Sequence, residues 1–118
     1  MGYYSKVVIG LSEEANQKFQ KELEILKADE KQKYLADKVE KLLSFAEKKR
    51  YNAAYIYQWD WIKWYSGFRE VEWIEDFINP LDLEEFRFLR IGEENGDIDF
   101  RGWNEDANFE PVTDVHFY

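Results

Sequence analysis

Carboxylates are the most abundant groups in this sequence that could take part in chemistry. The chain carries 25 Asp and Glu residues, but it has one histidine, His116, and no cysteine. A Ser-His-Asp, Cys-His or histidine-based metal centre therefore lacks parts. We predict that His116 is a structural residue at the end of an edge strand.

Glu93, Glu94, Asp97 and Asp99 are close enough in sequence to bind a hard cation. Their spacing does not match the calcium-loop pattern, and calcium needs about six to eight oxygen ligands. Paired carboxylates also serve in glycoside hydrolysis and metal-assisted phosphoryl transfer, but every acidic protein contains such pairs. The nearby glycines are not followed by the Lys-Ser or Lys-Thr of a phosphate-binding loop. We therefore predict no catalytic residue, no metal site and no cofactor.

The acidic residues are concentrated in the second half of the chain. Through Tyr51, 11 basic residues stand against nine acidic ones, whereas five basic residues stand against 16 acidic ones from Asn52 onward. The two parts carry charges of +2 and −11, which together give the net charge of −9. This asymmetry predicts one strongly negative face that binds a basic partner. The residues expected there, named here the acidic cluster, are Glu70, Glu72, Glu75, Asp76, Asp82, Glu84, Glu85, Glu93, Glu94, Asp97, Asp99, Glu105 and Asp106.

Two groups of aromatic residues are candidates for contact with a partner. Helical phase places Trp73 outward near Glu72 and Asp76, as expected of an anchor in a protein interface. The segment 52–64 alternates in the manner of a strand and places Tyr55, Tyr57, Trp59 and Trp61 on one face. That face could be core or a protein-binding patch. A stacking platform for bases normally lies in a basic groove, which the acidic flanking sequence does not favour.

The elements that position these residues follow from hydrophobic periodicity. Residues 3–11 alternate as a strand with one buried face, and Ser12 caps a following amphipathic helix. A second helix, or a kinked continuation of the first, begins after Asp29 and is predicted to end near Lys48-Lys49-Arg50, because three cations suit a helix C-terminus.

The second half of the chain is expected to be mainly β-structure. A short helix spans Arg69 to Ile78, and Asn95-Gly96 indicates a hairpin between strands at residues 85–91 and 97–103. Residues 114–118 could form a last strand. The order β-α-α-β-α-β-β-β predicts an α+β fold, in which three helices pack on one face of a mainly antiparallel sheet of four to five strands. Residues 1–118 are expected to form a single domain.

Several short segments resemble small acidic proteins encoded by bacteriophages and mobile elements. The most specific are Trp61-Ile62-Lys63-Trp64-Tyr65 and Arg90-Ile91-Gly92-Glu93, and Tyr4-Ser5-Lys6-Val7 also contributes. The resemblance implies no catalytic residue. It implies an accessory protein that acts on a host system. The leading expectation is an anti-CRISPR protein whose acidic, DNA-mimicking face binds an effector and blocks its binding of DNA.

Two alternatives from other functional classes remain open. The aromatic strand could line a pocket for a nucleotide signal, which would require Arg87, Arg90 and Arg101 to converge on its phosphates. The chain could instead be a self-associating accessory or structural component of a virion. In the leading hypothesis the partner is a basic host protein, with no direct nucleic acid and no membrane, and the chain is a monomer or homodimer. The lack of cysteine and of a long apolar run leads us to expect a cytoplasmic protein.

Overall fold

The computed structural model describes residues 2–111 and 115–117, which form three α-helices and seven strands. The expected α+β fold is confirmed, because the helices accompany an antiparallel sheet. In chain order the elements are β1 (Ser5–Leu11), α1 (Glu13–Ala28), α2 (Lys33–Ser44), β2 (Glu47–Tyr51), β3 (Ala54–Ile62), α3 (Arg69–Ile78), β4 (Phe86–Ile91), β5 (Ile98–Gly102), β6 (Phe109–Pro111) and β7 (Val115–Phe117).

The main sheet has the strand order β2-β3-β1-β4-β5, and each adjacent pair is antiparallel. β1 is the central strand, which explains its almost uninterrupted burial. β2 and β5 lie at opposite edges. Because β2 carries three cations and β5 belongs to the acidic half of the chain, the charge asymmetry of the sequence becomes an asymmetry between the two edges of the sheet.

The three helices cover one face of this sheet. Val7, Ile9 and Leu11 of β1 alternate onto that face, as the period-two pattern predicted, and they join the apolar stripes of the helices in the larger core. Ser12 caps α1 by accepting a hydrogen bond from the Ala15 backbone nitrogen at 3.1 Å. Leu42 links α2 to the sheet, since its carbonyl oxygen accepts the indole hydrogen of Trp59 at 2.9 Å.

A smaller core lies on the opposite face, where Val8, Ile56 and Leu89 contact Ala107 and Phe109 from the C-terminal part of the chain. Gly10 permits this contact. A Cβ atom at that position would lie 2.4 Å from the Cβ of Ala107. The 107–109 segment therefore lies directly on the central strand.

The expected end of the second helix is wrong. α2 ends at Ser44, and residues 47–51 form edge strand β2 against β3. Lys48, Lys49 and Arg50 thus lie on an edge strand, where charged side chains also hinder pairing with another chain. The guanidinium of Arg50 lies 4.1 Å from the ring centroid of Tyr55 on the neighbouring strand.

β3 also departs from simple alternation at its end. Between the pairs Val7–Trp59 and Ser5–Ile62, β3 contains one residue more than β1, which is a β-bulge. Ile62 consequently packs against the main core, whereas Trp61 is 59% exposed. Trp64 follows the strand and is buried in the core, although alternation had placed it opposite the Tyr57 face.

The predicted last strand is only partly described. Residues 115–117 form β7, which pairs with β6 in a separate two-stranded ladder rather than with the main sheet. Asp114 and Tyr118 lie outside the described residues.

Candidate functional site

The acidic cluster is distributed along α3 and the β4–β5 hairpin. Its members near residues 82–85 and 105–106 lie at one end of this hairpin, and those at 93–97 lie at the turn that forms the other end. A strand of this length spans about 17–20 Å, so the two groups are well separated. Glu70 lies apart from both, at the start of α3. The structure therefore gives an extended acidic array and not one compact patch.

Arg101 fixes the helix α3 to the acidic strand β5. Its guanidinium donates to Glu75 at 2.8 Å, to Asp99 at 3.1 Å and to Asn79 at 2.6 Å. It also lies 4.4 Å from the ring centroid of Phe88. Glu75 additionally accepts the indole hydrogen of Trp64 at 3.0 Å. Glu75 and Asp99 of the acidic cluster therefore help to hold α3 against β5, and their charges are paired with Arg101 rather than free to attract a partner.

The three arginines of the nucleotide hypothesis do not converge. Arg87 donates to the carbonyl oxygens of Asn104 and Phe109, on the face opposite to the helices. Arg90 forms a bidentate pair with Asp97, with distances of 2.7 and 3.1 Å, and Arg101 contacts α3. That ligand set is therefore wrong, because each guanidinium binds a different internal acceptor.

Exposed apolar side chains accompany the acids at the β5 edge. Trp103 is 57% exposed, and Leu83, Ile98 and Phe100 are each at least 40% exposed. The backbone nitrogen of Trp103 donates to the carbonyl oxygen of Leu83 at 2.8 Å, which joins the 79–85 segment to the end of β5. We name this surface the acidic edge; it comprises Asp82, Leu83, Glu84, Ile98, Asp99, Phe100, Trp103 and Glu105, and it continues along the following segment to Asp106, whose carbonyl oxygen accepts a hydrogen bond from the Asn52 side chain at 3.1 Å.

The outward orientation expected for Trp73 is wrong. Trp73 is half-buried and packs against the main core, with its ring centroid 5.9 Å from that of Phe19 on α1. Phe19 of α1 contacts both Trp73 and Phe77 of α3, so a side chain at the boundary of the polar face of α3 is partly covered. Sequence periodicity missed Trp103, whose exposure depends on how the chain leaves β5.

The N-terminal residues are attached to the acidic turn of the hairpin. The Tyr3 hydroxyl donates to Asp97 and accepts the Glu94 backbone hydrogen at 2.9 Å. The hydrogen bonds from Arg90 and Tyr3 lower the pKa of Asp97 to about 2, and the same bond to Asp97 raises the pKa of Tyr3. We call residues 2–4 with these contacts the N-terminal clasp.

Three segments that the sequence singled out, at residues 4–7, 61–65 and 90–93, meet at this clasp. The Tyr4 backbone nitrogen donates to Glu93 at 2.8 Å, and the Tyr3 backbone nitrogen donates to the Tyr65 hydroxyl at 2.7 Å. A Cβ atom on Gly92 would lie 2.1 Å from a carboxylate oxygen of Asp97 and 2.3 Å from the Tyr3 hydroxyl. The segments at residues 61–65 and 90–93 therefore have a structural role, because both hold the N-terminal residues in place.

A groove lies beside the clasp, between α2, the end of β3 and the start of α3. Its volume is about 440 Å³. Tyr4 and Trp61 stack with parallel rings, 2° apart in orientation and 5.3 Å between centroids. We name this site the aromatic groove; its lining includes Tyr4, Lys38, Lys41, Phe45, Trp61, Lys63, Phe68 and Glu70.

Within residues 2–111 and 115–117, no three carboxylate or histidine side chains are grouped so that they could hold a metal ion. No helix in the same part of the chain is both long and apolar enough to cross a membrane. Comparisons with protein-family models, curated proteins and solved structures find no match to this chain.

Proposed function

We propose that this chain is an inhibitor that binds a basic host protein through the acidic edge and thereby prevents that protein from binding nucleic acid. We infer further that the partner is a CRISPR effector or another defence protein and that inhibition takes place in the host cytoplasm. The chain has no catalytic part in this function.

The observation that carries the proposal is the combination of exposed apolar side chains at edge strand β5 with carboxylates in the neighbouring segments. Trp103 and Phe100 can supply contact area that loses water on binding, and aromatic residues dominate the energy of many interfaces. Exposed acids such as Asp82 and Glu105 would attract a basic surface and exclude its polyanionic ligand. The hydrogen bonds of Arg101 hold this surface in one shape, which lowers the entropy lost on binding.

Charge reversal tests the proposal against an equally charged control. The edge variant carries Asp82→Lys, Glu84→Lys, Glu105→Lys and Asp106→Lys. The control carries Glu22→Lys, Glu24→Lys, Glu30→Lys and Asp37→Lys on the helical side, where all four side chains are exposed. The two variants have the same net charge, so a general electrostatic effect would change both equally.

Target-DNA binding by purified CRISPR effector complexes is measured by gel shift with wild type and both variants. We expect wild type to displace DNA and the edge variant to associate about 10–100 times more slowly, with a weaker dependence on salt. The control should retain inhibition. Equal loss in both variants, or undiminished inhibition by the edge variant, would refute recognition through the acidic edge.

A further inference from the structure

We propose that the aromatic groove binds a nucleoside phosphate, with the base against its aromatic walls and the phosphate at its lysines. This site is separate from the acidic edge, and no residue belongs to both. The inference therefore stands independently of the inhibitor function.

The walls of the groove are suited to a flat aromatic ligand. Trp61 is 59% exposed and Phe45 is 62% exposed, and both line the groove. Large apolar side chains that lie together on a protein surface often mark a binding site. A volume of about 440 Å³ falls within the range of small-molecule pockets. Stacking on an exposed indole requires only a π face, which every base has.

The charged residues of the groove favour an anion. Lys38 and Lys41 lie one turn apart on α2, Lys63 lies after β3, and Glu70 is the carboxylate among the described lining residues. Three cations against one anion make the groove positive in a protein whose net charge is −9. The Lys63 ammonium lies 5.7 Å from the ring centroid of Tyr4, so one cation is already held beside the stacked rings.

The start of α3 adds to this preference. Phe68 is the N-cap residue of α3, and among the described residues no side chain caps that helix. Phe68, Glu70 and Val71 line the groove together with the lysines, so the first turn of α3 borders the groove. A smaller depression of about 140 Å³ continues from here and adds Arg69. This end of the groove is therefore where we place the phosphate.

A single nucleotide suits the molecule better than a nucleic acid strand. The net charge of −9 repels a polyanion at long range, whereas a nucleoside phosphate carries few charges and needs only the local field of the groove. On the side toward β2, the surface continues past Phe45 to Glu47 and Asp60, which would repel further phosphates. The groove is thus positive over a length that fits one nucleotide.

The aromatic wall is held in place before any ligand binds. Tyr4 belongs to the N-terminal clasp, and Glu93 and Tyr65 accept hydrogen bonds from this segment at 2.8 and 2.7 Å. A site whose walls are already ordered loses less entropy on binding. The clasp therefore gives the groove a defined shape.

Calorimetry and indole fluorescence with AMP, GMP, CMP, UMP and the corresponding 3′,5′-cyclic nucleotides test the proposal. We expect at least one of them to bind the wild-type chain. Trp61→Ala should weaken that affinity by at least about fivefold, the effect of losing one stacked base. Trp103→Ala is the matched control, since Trp103 is 57% exposed but lies on the acidic edge, and it should leave affinity unchanged.

Lysine variants test the phosphate end of the groove. The double variant Lys38→Ala with Lys41→Ala should weaken nucleotide binding by about tenfold or more and remove most of its salt dependence. Lys21→Ala, an exposed lysine on α1, serves as control. Circular dichroism confirms folding of each variant. Absence of binding across the panel, binding of oligonucleotides alone, or equal affinity of wild type and Trp61→Ala would overturn the proposal.

Discussion

At the scale of single residues, Asp97 connects the N-terminal residues to the β4–β5 hairpin. It accepts two hydrogen bonds from Arg90 and one from Tyr3, although Tyr3 and Asp97 are 94 positions apart in the sequence. Gly92 leaves the space in which these groups meet. A carboxylate that sequence composition suggested for partner binding therefore fastens the N-terminal clasp.

The lowered pKa of Asp97 predicts an acid-dependent loss of stability. The pKa of its carboxyl is 3.8 in the absence of these contacts and about 2 in the folded chain, because Arg90 and Tyr3 favour the charged form. This stabilisation is complete above about pH 4 and is lost as the pH falls toward about 2. We expect Asp97→Asn to lower the midpoint of urea unfolding at neutral pH. The difference from wild type should shrink as the pH falls from about 4 toward about 2.

Asp37→Asn provides the control for this acid titration. Asp37 is an exposed carboxylate on α2, so its replacement should leave the urea midpoint close to that of wild type. A constant difference between wild type and Asp97→Asn from about pH 7 to about pH 2.5 would contradict the assigned role of Asp97.

At the scale of elements, contact between the central strand and the 107–109 segment depends on one missing side chain. Gly10 faces Ala107 and Phe109, and a Cβ atom there would lie 2.4 Å from Ala107 and 3.3 Å from the Phe109 ring. Phe109 is fully buried by this contact. β1 can therefore carry helices on one face and a chain segment on the other.

Gly10→Ala should displace that segment. Overpacking of a tight contact typically costs about 1–3 kcal/mol, so we expect the free energy of unfolding to fall by that amount. Gly67→Ala is the matched control, because no atom lies within 4 Å of a Cβ built there, and it should change stability by no more than about 0.5 kcal/mol. Denaturant unfolding measures both variants. Equal stability of the two would show that the segment does not press on β1.

At the scale of the whole molecule, the sheet has two different edges. β2 carries Lys48, Lys49 and Arg50, which discourage pairing with another chain. β5 exposes Ile98 and Phe100 at 41% and 40%. The surrounding negative charge helps to protect this edge, and the net charge of the chain falls toward zero near its isoelectric point.

We therefore expect the chain to be monomeric at neutral pH and to self-associate near its isoelectric point of about 4.7. Ile98→Lys should reduce that association, since a lysine at a strand edge opposes pairing. Ile25→Lys changes the net charge equally, but Ile25 lies on α1, so this control should associate as wild type does. Light scattering as a function of pH compares the three proteins. If Ile98→Lys and Ile25→Lys associate equally, the self-association contact does not lie on β5.

Much of the fold can be predicted from local patterns because each pattern depends on nearby residues. Alternation in β1, the Ser12 cap and the 69–78 helix all follow from short-range preferences, and the structure has each of them. The Lys48–Arg50 segment could not be assigned this way, since three cations suit a helix end as well as an edge strand. Pairing with β3 decides between them.

The fold class, the buried face of β1 and the acidity of the second half could be predicted from the sequence, because periodicity and charge are local properties of the chain. Which charges remain available to a partner depends on the folded structure, because Arg90 and Arg101 pair with particular carboxylates that folding brings beside them. Folding also exposed Trp61 through a bulge and brought Tyr4 beside it. Contacts between distant residues cannot be read from spacing, and the aromatic groove depends on them.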